Sequence, residues 1–271
     1  MEMDRNFIIK HREITRGTDV DDGCEYASDQ QLRRPQPPLV KEKMTGAQIA
    51  LPMDFSRLKL KNDILDIIYS RESHRVYTGE PMTLIELSFL LWATQGVKSI
   101  RGNNYATLRT VPCGGARHEF ETYLVVANVE GLKSGAYHYL PLSNELEFLH
   151  PIDDIPAKID PALVGQKWAG KANVIFFWSC VPYRAEWRYA AYGHRVILID
   201  AGHIGQNLYI ACEAVGLGTC VLAAYDEALC NALFGLDGMD EYVLYCAPVG
   251  KVSPADKEKE NAFYAFLKAD E

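Results

Sequence analysis

Apolar residues recur along this chain with two different periods, and the alternation between those periods sketches the elements. Across 60–70, Leu60, Ile64, Leu65, Ile67 and Ile68 fall on one helical face. A second helix is marked at both ends. Thr83 and Glu86 have the spacing of a capping box, an apolar run covers 84–93, and Gly96 stands just past the end. Strand-forming runs at 122–128 and 136–140 flank Gly131 and Gly135, which predicts a β-hairpin, and 145–149 adds a short strand. Residues 173–180 are apolar almost throughout, as in a strand covered on both faces. A long helical stretch follows over 183–215, with a bend expected near Gly193. In its second half, starting from Asp200, the residues Ile204, Leu208, Ala211 and Val215 keep helical spacing. The chain then reads as strand 219–223, helix 226–234, strand 241–247 and a polar helix from about Ala255.

Helices and strands therefore mix without a regular βα repeat, which predicts an α+β fold. The organisation expected is an extended arm over 1–59, a body over 60–253 and a C-terminal helix or tail over 254–271. The arm contains an acidic group (Asp19, Asp21, Asp22, Glu25) and a proline-rich stretch at 33–38 that should be extended. Such a segment can lie over the body or over a partner subunit, or form a loose tail.

Length and charge narrow the picture. A chain of 271 residues, 48% hydrophobic, is long enough for a sizeable core. Its net charge of −8 argues against a nucleic-acid partner. The first residues carry charges rather than a signal-type apolar run, and no apolar run reaches membrane-spanning length. Seven cysteines without CxxC spacing suit a reducing compartment and neither a disulfide framework nor a usual zinc motif. The expectation is a cytoplasmic protein with no metal and no membrane association.

Several short motifs carry candidate chemistry. Arg71, Ser73 and Arg75 alternate, so in an extended segment all three face the same side. Two guanidiniums and a hydroxyl suit a phosphate and a polyol, although a solvated loop has the same composition. Pro112, Cys113, Gly114 and Gly115 form a turn that permits close backbone approach. Gln206 and Asn207 are polar within an apolar helix and need partners if buried. The stretch 216–225 (GLGTCVLAAY) contains a helix-ending glycine and then Leu222, Ala223 and Ala224. Gly250 and Lys251 follow the last strand, where Lys251 is either a phosphate cation or a solvated side chain.

In this order and at these separations the motifs resemble the nitroreductase family of flavin enzymes, and most closely its SagB-type dehydrogenase branch. The similarity spans about 190 residues, from Leu60 to Lys251. It implies a mainly antiparallel central sheet flanked by helices, an intertwined homodimer, and FMN bound at the subunit interface. It also assigns roles. Arg71, Ser73 and Arg75 match the segment holding the FMN phosphate, ribityl chain and pyrimidine edge. The stretch 112–115 matches one that lies against the neighbouring subunit's flavin. Gln206 sits near the flavin site, and a backbone N–H of Ala223 or Ala224, beside Leu222, meets flavin N5. Gly250 and Lys251 match the end of the family core, with Lys251 a second phosphate cation.

The chain also departs from that branch. Cys113 stands where serine is usual, Glu119 where proline is usual, and Ala191 where the azole-forming members carry a lysine before Tyr192 and Gly193. Alanine cannot act as a base, which leaves Tyr192 and His194 as weak candidates for proton transfer. Cys113 could be redox-active. The function expected is hydride transfer between flavin N5 and a small molecule, with NADH or NADPH as the reductant for nitro or quinone compounds. A dehydrogenase acting on a peptide or metabolite and a non-catalytic flavin-binding scaffold are the alternatives.

Overall fold

The computed structural model describes residues 27–44 and 46–262, together with the isolated positions 9 and 12. The acidic group at 19–25 and the end of the expected C-terminal helix lie outside the described residues.

In chain order the elements are β1 (Gln48–Ala50), α1 (Ile64–Ser70), α2 (Leu84–Gln95), β2 (Val97–Arg101), β3 (Ala106–Arg109), β4 (Phe120–Val126), β5 (Gly135–Leu140) and β6 (Glu145–Pro151). There follow α3 (Ile155–Ala162), β7 (Val174–Cys180), α4 (Tyr183–Tyr189), α5 (Gly193–Val215), β8 (Leu217–Thr219), α6 (Glu227–Ala232), β9 (Tyr242–Lys251) and α7 (Lys257–Ala262). Seven strands form one sheet in the order β1-β6-β5-β4-β7-β9-β8, with every neighbouring pair antiparallel; β2 and β3 make a separate hairpin. This is the α+β architecture expected.

Period-two alternation explains why the central strands are buried on both faces. Leu124, Val126, Phe176, Trp178, Ala247 and Val249 point to one layer, which holds α2 and α5. Tyr123, Val125, Ile175, Phe177, Val243 and Cys246 point to the other, covered by α3, α6 and Trp168. The capping box at α2 is present in both directions, and Glu86 continues to the Lys251 ammonium at 2.6 Å, tying the start of α2 to the end of β9.

Several boundaries differ from the sequence expectation. The first helix starts at Ile64, because Asp63 caps it by accepting from the N–H groups of Leu65 and Asp66. Of its apolar face only Ile67 is buried; Leu65 is 77% and Tyr69 91% exposed. The long helix breaks at Ala190, which has φ +48°, and α5 then runs unbroken from Gly193 rather than from Asp200. Strand β8 is displaced to 217–219, and Leu222 makes only an isolated bridge to Cys246. The hairpin β2–β3 and helix α3 are additions to the expected elements, although α3 buries Ile155, Ile159 and Ala162 at helical spacing.

The described part of the N-terminal arm lies on the body. The Trp187 indole donates to the Arg34 carbonyl and the Gln30 N–H donates to the Trp187 carbonyl. Further on, the Lys41 N–H donates to Glu121 and the Met44 N–H to Glu147, both carboxylates being buried in the sheet. Strand β1 then pairs with β6, so 48–50 belongs to the sheet rather than to a separate arm.

Those two glutamates flank His138. Its Nδ1 is 2.7 Å from Glu147 and its Nε2 3.4 Å from Glu121, which also pairs with Arg184. Burial alone would lower the His138 pKa, but hydrogen bonds and charges from Glu121 and Glu147 outweigh it and raise the value. Burial likewise opposes ionisation of Glu121, and Arg184 with His138 overcomes it to push the value down. The stabilisation from charged His138 is therefore full below the ordinary histidine range and is lost as pH rises through its raised folded-state value. That from Glu121 is full above the ordinary carboxylate range and is lost as pH falls through its depressed one. We predict that Tm falls on the alkaline side in the native protein. His138→Gln should lower stability by about 3 kcal/mol at neutral pH and flatten that alkaline slope; a slope of equal steepness in the variant would show that another group titrates.

Candidate functional site

Residues 71–77 run extended beside the end of the sheet. The His74 N–H donates to the Thr219 carbonyl, and the Thr78 N–H to the Lys251 carbonyl. Gly218 makes this approach possible, since a Cβ there would lie 2.6 Å from His74 Cβ. The alternation expected for Arg71, Ser73 and Arg75 is realised around α5 and the 219–224 loop. Ser73 Oγ is 2.9 Å from the Tyr209 hydroxyl, which also accepts the Val221 N–H at 3.2 Å. The Arg71 guanidinium lies 5.1 Å from the Tyr209 ring centroid, and that of Arg75 5.7 Å from the Trp168 ring. Among the described residues Arg71 has no carboxylate partner.

Beside them is an open cavity of about 560 Å³ lined by Arg75, Gly165, Gln166, Lys167, Trp168 and Lys171. The Gln166 amide donates to the Ala224 carbonyl, bringing the 222–224 loop to its edge. Ala223 and Ala224 are exposed, and among the described residues their N–H groups have no hydrogen-bond partner. The structure thus links Ser73 to the 219–224 loop through Tyr209, and sets Arg75, Lys167, Lys171 and the Trp168 indole around one concavity of ligand size at that loop's edge.

Three expected residues contribute differently. Leu222 is buried and its N–H goes to the Cys246 carbonyl, so that amide is already engaged. Gly250 is packed against Tyr77, whose ring leaves no space for a Cβ. Lys251, expected to be a phosphate cation, has its ammonium held by Glu86, and the cations at the cavity are Arg75, Lys167 and Lys171 instead. Gln206 is exposed, and only Asn207 meets the expectation of a partner, donating to the Ala93 carbonyl at 2.9 Å.

The turn at 112–115 stands elsewhere on the same helix. The Gly114 N–H donates to Asp200 at 2.7 Å, and Gly115 packs against Arg188 and Tyr189. Asp200 and Tyr209 are nine residues apart on α5, about 13 Å along its axis. Within one chain the two motifs are therefore separate. Cys113 and Glu119, both departures from the resembled pattern, touch: Sγ lies 3.3 Å from Glu119 Oε2. Burial, reinforced by the Glu119 and Asp200 charges, raises the Cys113 thiol far above its ordinary range, which disfavours the reactive thiolate. Burial and neighbouring Asp200 push Glu119 up to about 7. Tyr192 and His194 sit at the start of α5, where half-exposed His194 pairs with Glu186 at 2.7 Å. Neither reaches the Arg71 segment within the chain.

Tyr209, Trp168 and Lys167 were missed in the sequence. Tyr209 could have been found, because a tyrosine one turn after the Gly205 position and ten before Thr219 faces the glycine loop. Trp168 and Lys167 lie in a segment without periodic signal.

Comparison with known proteins defines the family. The chain matches the Nitroreductase family over residues 68–251, and it belongs to that family. It is 30% identical over 204 residues to a Methanocaldococcus jannaschii protein named a candidate nitroreductase, covering 75% of this chain and 96% of that one. It is 27% identical over 133 residues to the Escherichia coli microcin B17-processing protein McbC, covering 48% of this chain and 49% of that relative. A solved structure from Ralstonia eutropha, described as a candidate nitroreductase, superimposes with a TM-score of 0.62 at 22% identity, covering 81% of this chain and 94% of the other; this likeness concerns the fold. No helix among the described residues is long and apolar enough to cross a membrane.

The Tyr209 hydroxyl joins Ser73 to the 219–224 loop, so Tyr209→Phe should cost about 1–3 kcal/mol and speed amide exchange at Val221. Hydrogen exchange measures this, and unchanged protection at Val221 would show that the loop is held by other contacts.

Proposed function

We propose that this protein is an FMN-dependent oxidoreductase that works as a homodimer. The observation that carries the reading is the gathering of Arg71 and Ser73 at Tyr209, which also binds the 219–224 loop, beside a basic cavity lined by Arg75, Lys167, Trp168 and Lys171; among the described residues Arg71 has no carboxylate partner and the N–H groups of Ala223 and Ala224 have no hydrogen bond. These donors fit FMN. Arg71 would pair with phosphate oxygens, Ser73 would meet the polyol, and Arg75 over Trp168 would face the pyrimidine edge. When bound, FMN supplies reversible hydride acceptance at N5. An N–H from Ala223 or Ala224 at that edge favours negative charge on the reduced ring, and the Trp168 indole limits water on one side.

The second subunit enters through two features. The 112–115 turn is about 13 Å along α5 from Tyr209, too far to share a small ligand within one chain. The exposed Ile64, Leu65, Ile68 and Tyr69 on α1 form an apolar face suited to burial against a second copy. The substrate class is a small electron acceptor such as a nitro or quinone compound, with NADH or NADPH as reductant.

The McbC likeness favours a second reading, a SagB-type dehydrogenase that oxidises a peptide or metabolite. Ala191 argues against its azole-forming version, because no basic side chain stands before Tyr192 and Gly193.

The purified protein should be yellow and release FMN on heating, identified by mass, and NADH or NADPH should bleach it. Arg71→Ala should weaken FMN retention about ten- to a hundredfold, the loss of one charge-assisted phosphate contact. Bound FMN that neither nucleotide reduces would favour the dehydrogenase reading. A colourless protein that does not take up FMN would overturn both.

A further inference from the structure

Cys113, Glu119 and Asp200 come from a loop, the residue before β4 and the middle of α5, yet their donor atoms lie within 4.8 Å of one another. All three are shielded: Glu119 is 0% and Asp200 3% exposed, and Cys113 is half-buried. No ion pair among the described residues reaches Glu119. Two carboxylates this close in a dry interior repel each other, so either a proton on one of them or a cation between them must relieve the repulsion.

Two buried atoms here make no hydrogen bond, one of them on a partly exposed side chain. Glu119 Oε1 and His203 Nδ1 are both buried and accept or donate no hydrogen bond. His203 follows Asp200 by one helical turn, with Nδ1 3.3 Å from Asp200 Oδ1, while Oδ2 is engaged by the Gly114 N–H. The group therefore holds one sulfur and two carboxylates, with the partly exposed His203 imidazole beside Asp200 but outside the cluster. We propose that it is a closed structural site for a divalent first-row cation, with zinc the best match. Thiolate, carboxylate and imidazole are its ordinary donors, with Zn–S about 2.3 Å and Zn–O or Zn–N about 2.0–2.2 Å. Those lengths call for donor separations of about 3.3–3.6 Å, and Cys113 Sγ to Glu119 Oε2 is already 3.3 Å. Three anionic donors leave the filled site one negative charge, which Arg109 and Arg117, within electrostatic range of Cys113, offset.

The thiol proton leaves as the metal–sulfur bond forms, so loading releases protons and needs no oxidant or reductant. The cation would pin the 112–118 loop to α5. The usual sequence spacing of zinc motifs is absent because the ligands are 6 and 81 residues apart and meet only in the fold.

The test uses the full chain, loaded with zinc, dialysed against metal-free buffer, and read by elemental analysis and zinc K-edge absorption. About one zinc per chain with a single sulfur neighbour near 2.3 Å is expected. Cys113→Ser should remove the sulfur signal, and both it and Glu119→Gln should weaken retention at least about tenfold, with far-UV circular dichroism confirming that each variant is folded. Failure to retain zinc, with an infrared carboxylic-acid band that Glu119→Gln abolishes, would overturn the proposal and identify a shared proton instead. A sulfur neighbour that survives Cys113→Ser would overturn it by placing the metal elsewhere.

Discussion

The packing of α5 along the sheet is the constraint on which the rest depends. Ile197, Ala201, Ile204, Leu208, Ala211 and Cys212 all enter the same core layer as Leu124, Phe176, Trp178 and Ala247. Gly205 lets the helix approach so closely that a Cβ would sit 2.8 Å from the Tyr245 ring. Burying each of these larger apolar side chains contributes about 1.5–3 kcal/mol, so the helix has little freedom to slide or rotate. Because it is fixed, the polar residues along it become fixed points for loops. Asp200 holds the 112–115 turn, Asn207 holds the end of α2, and Tyr209 holds Ser73 and Val221.

That one helix serves two polar stations about 13 Å apart explains the division of the site. At the Tyr209 station the chain gathers Arg71, Ser73, Arg75, Trp168 and the loop carrying Ala223 and Ala224. At the Asp200 station it gathers Cys113 and Glu119. The first is open and cationic, as a site for an anionic ligand requires. The second is closed, anionic and short of donors, which is why it fits a cation rather than a substrate. The two departures from the resembled motif, at 113 and 119, are thus one local change rather than two.

Much of this was legible in the sequence where signals were local. The capping box at Thr83 and Glu86, the doubly buried strand at 173–180 and the alternation of Arg71, Ser73 and Arg75 each follow from spacing over a few residues. Signals failed where partners are distant. Lys251 looked like a ligand cation until Glu86, 165 positions away, took its ammonium. Gln206 and Asn207 looked equivalent, but the 100° turn between successive residues sends one to solvent and the other to Ala93. The apolar face of 60–70 was correctly read as apolar, yet within the chain most of it stays uncovered. Periodicity tells that a face needs burial, not whether the same chain supplies the cover.

The most direct measurement of the central claim is a crystal structure of the protein with FMN added in excess. The account predicts phosphate oxygens on Arg71, flavin N5 within hydrogen-bond reach of the Ala223 or Ala224 N–H, and the 112–115 turn of a second copy across the ring. FMN bound away from the Arg75–Trp168 cavity, or held by one chain with the α1 face still open, would contradict it.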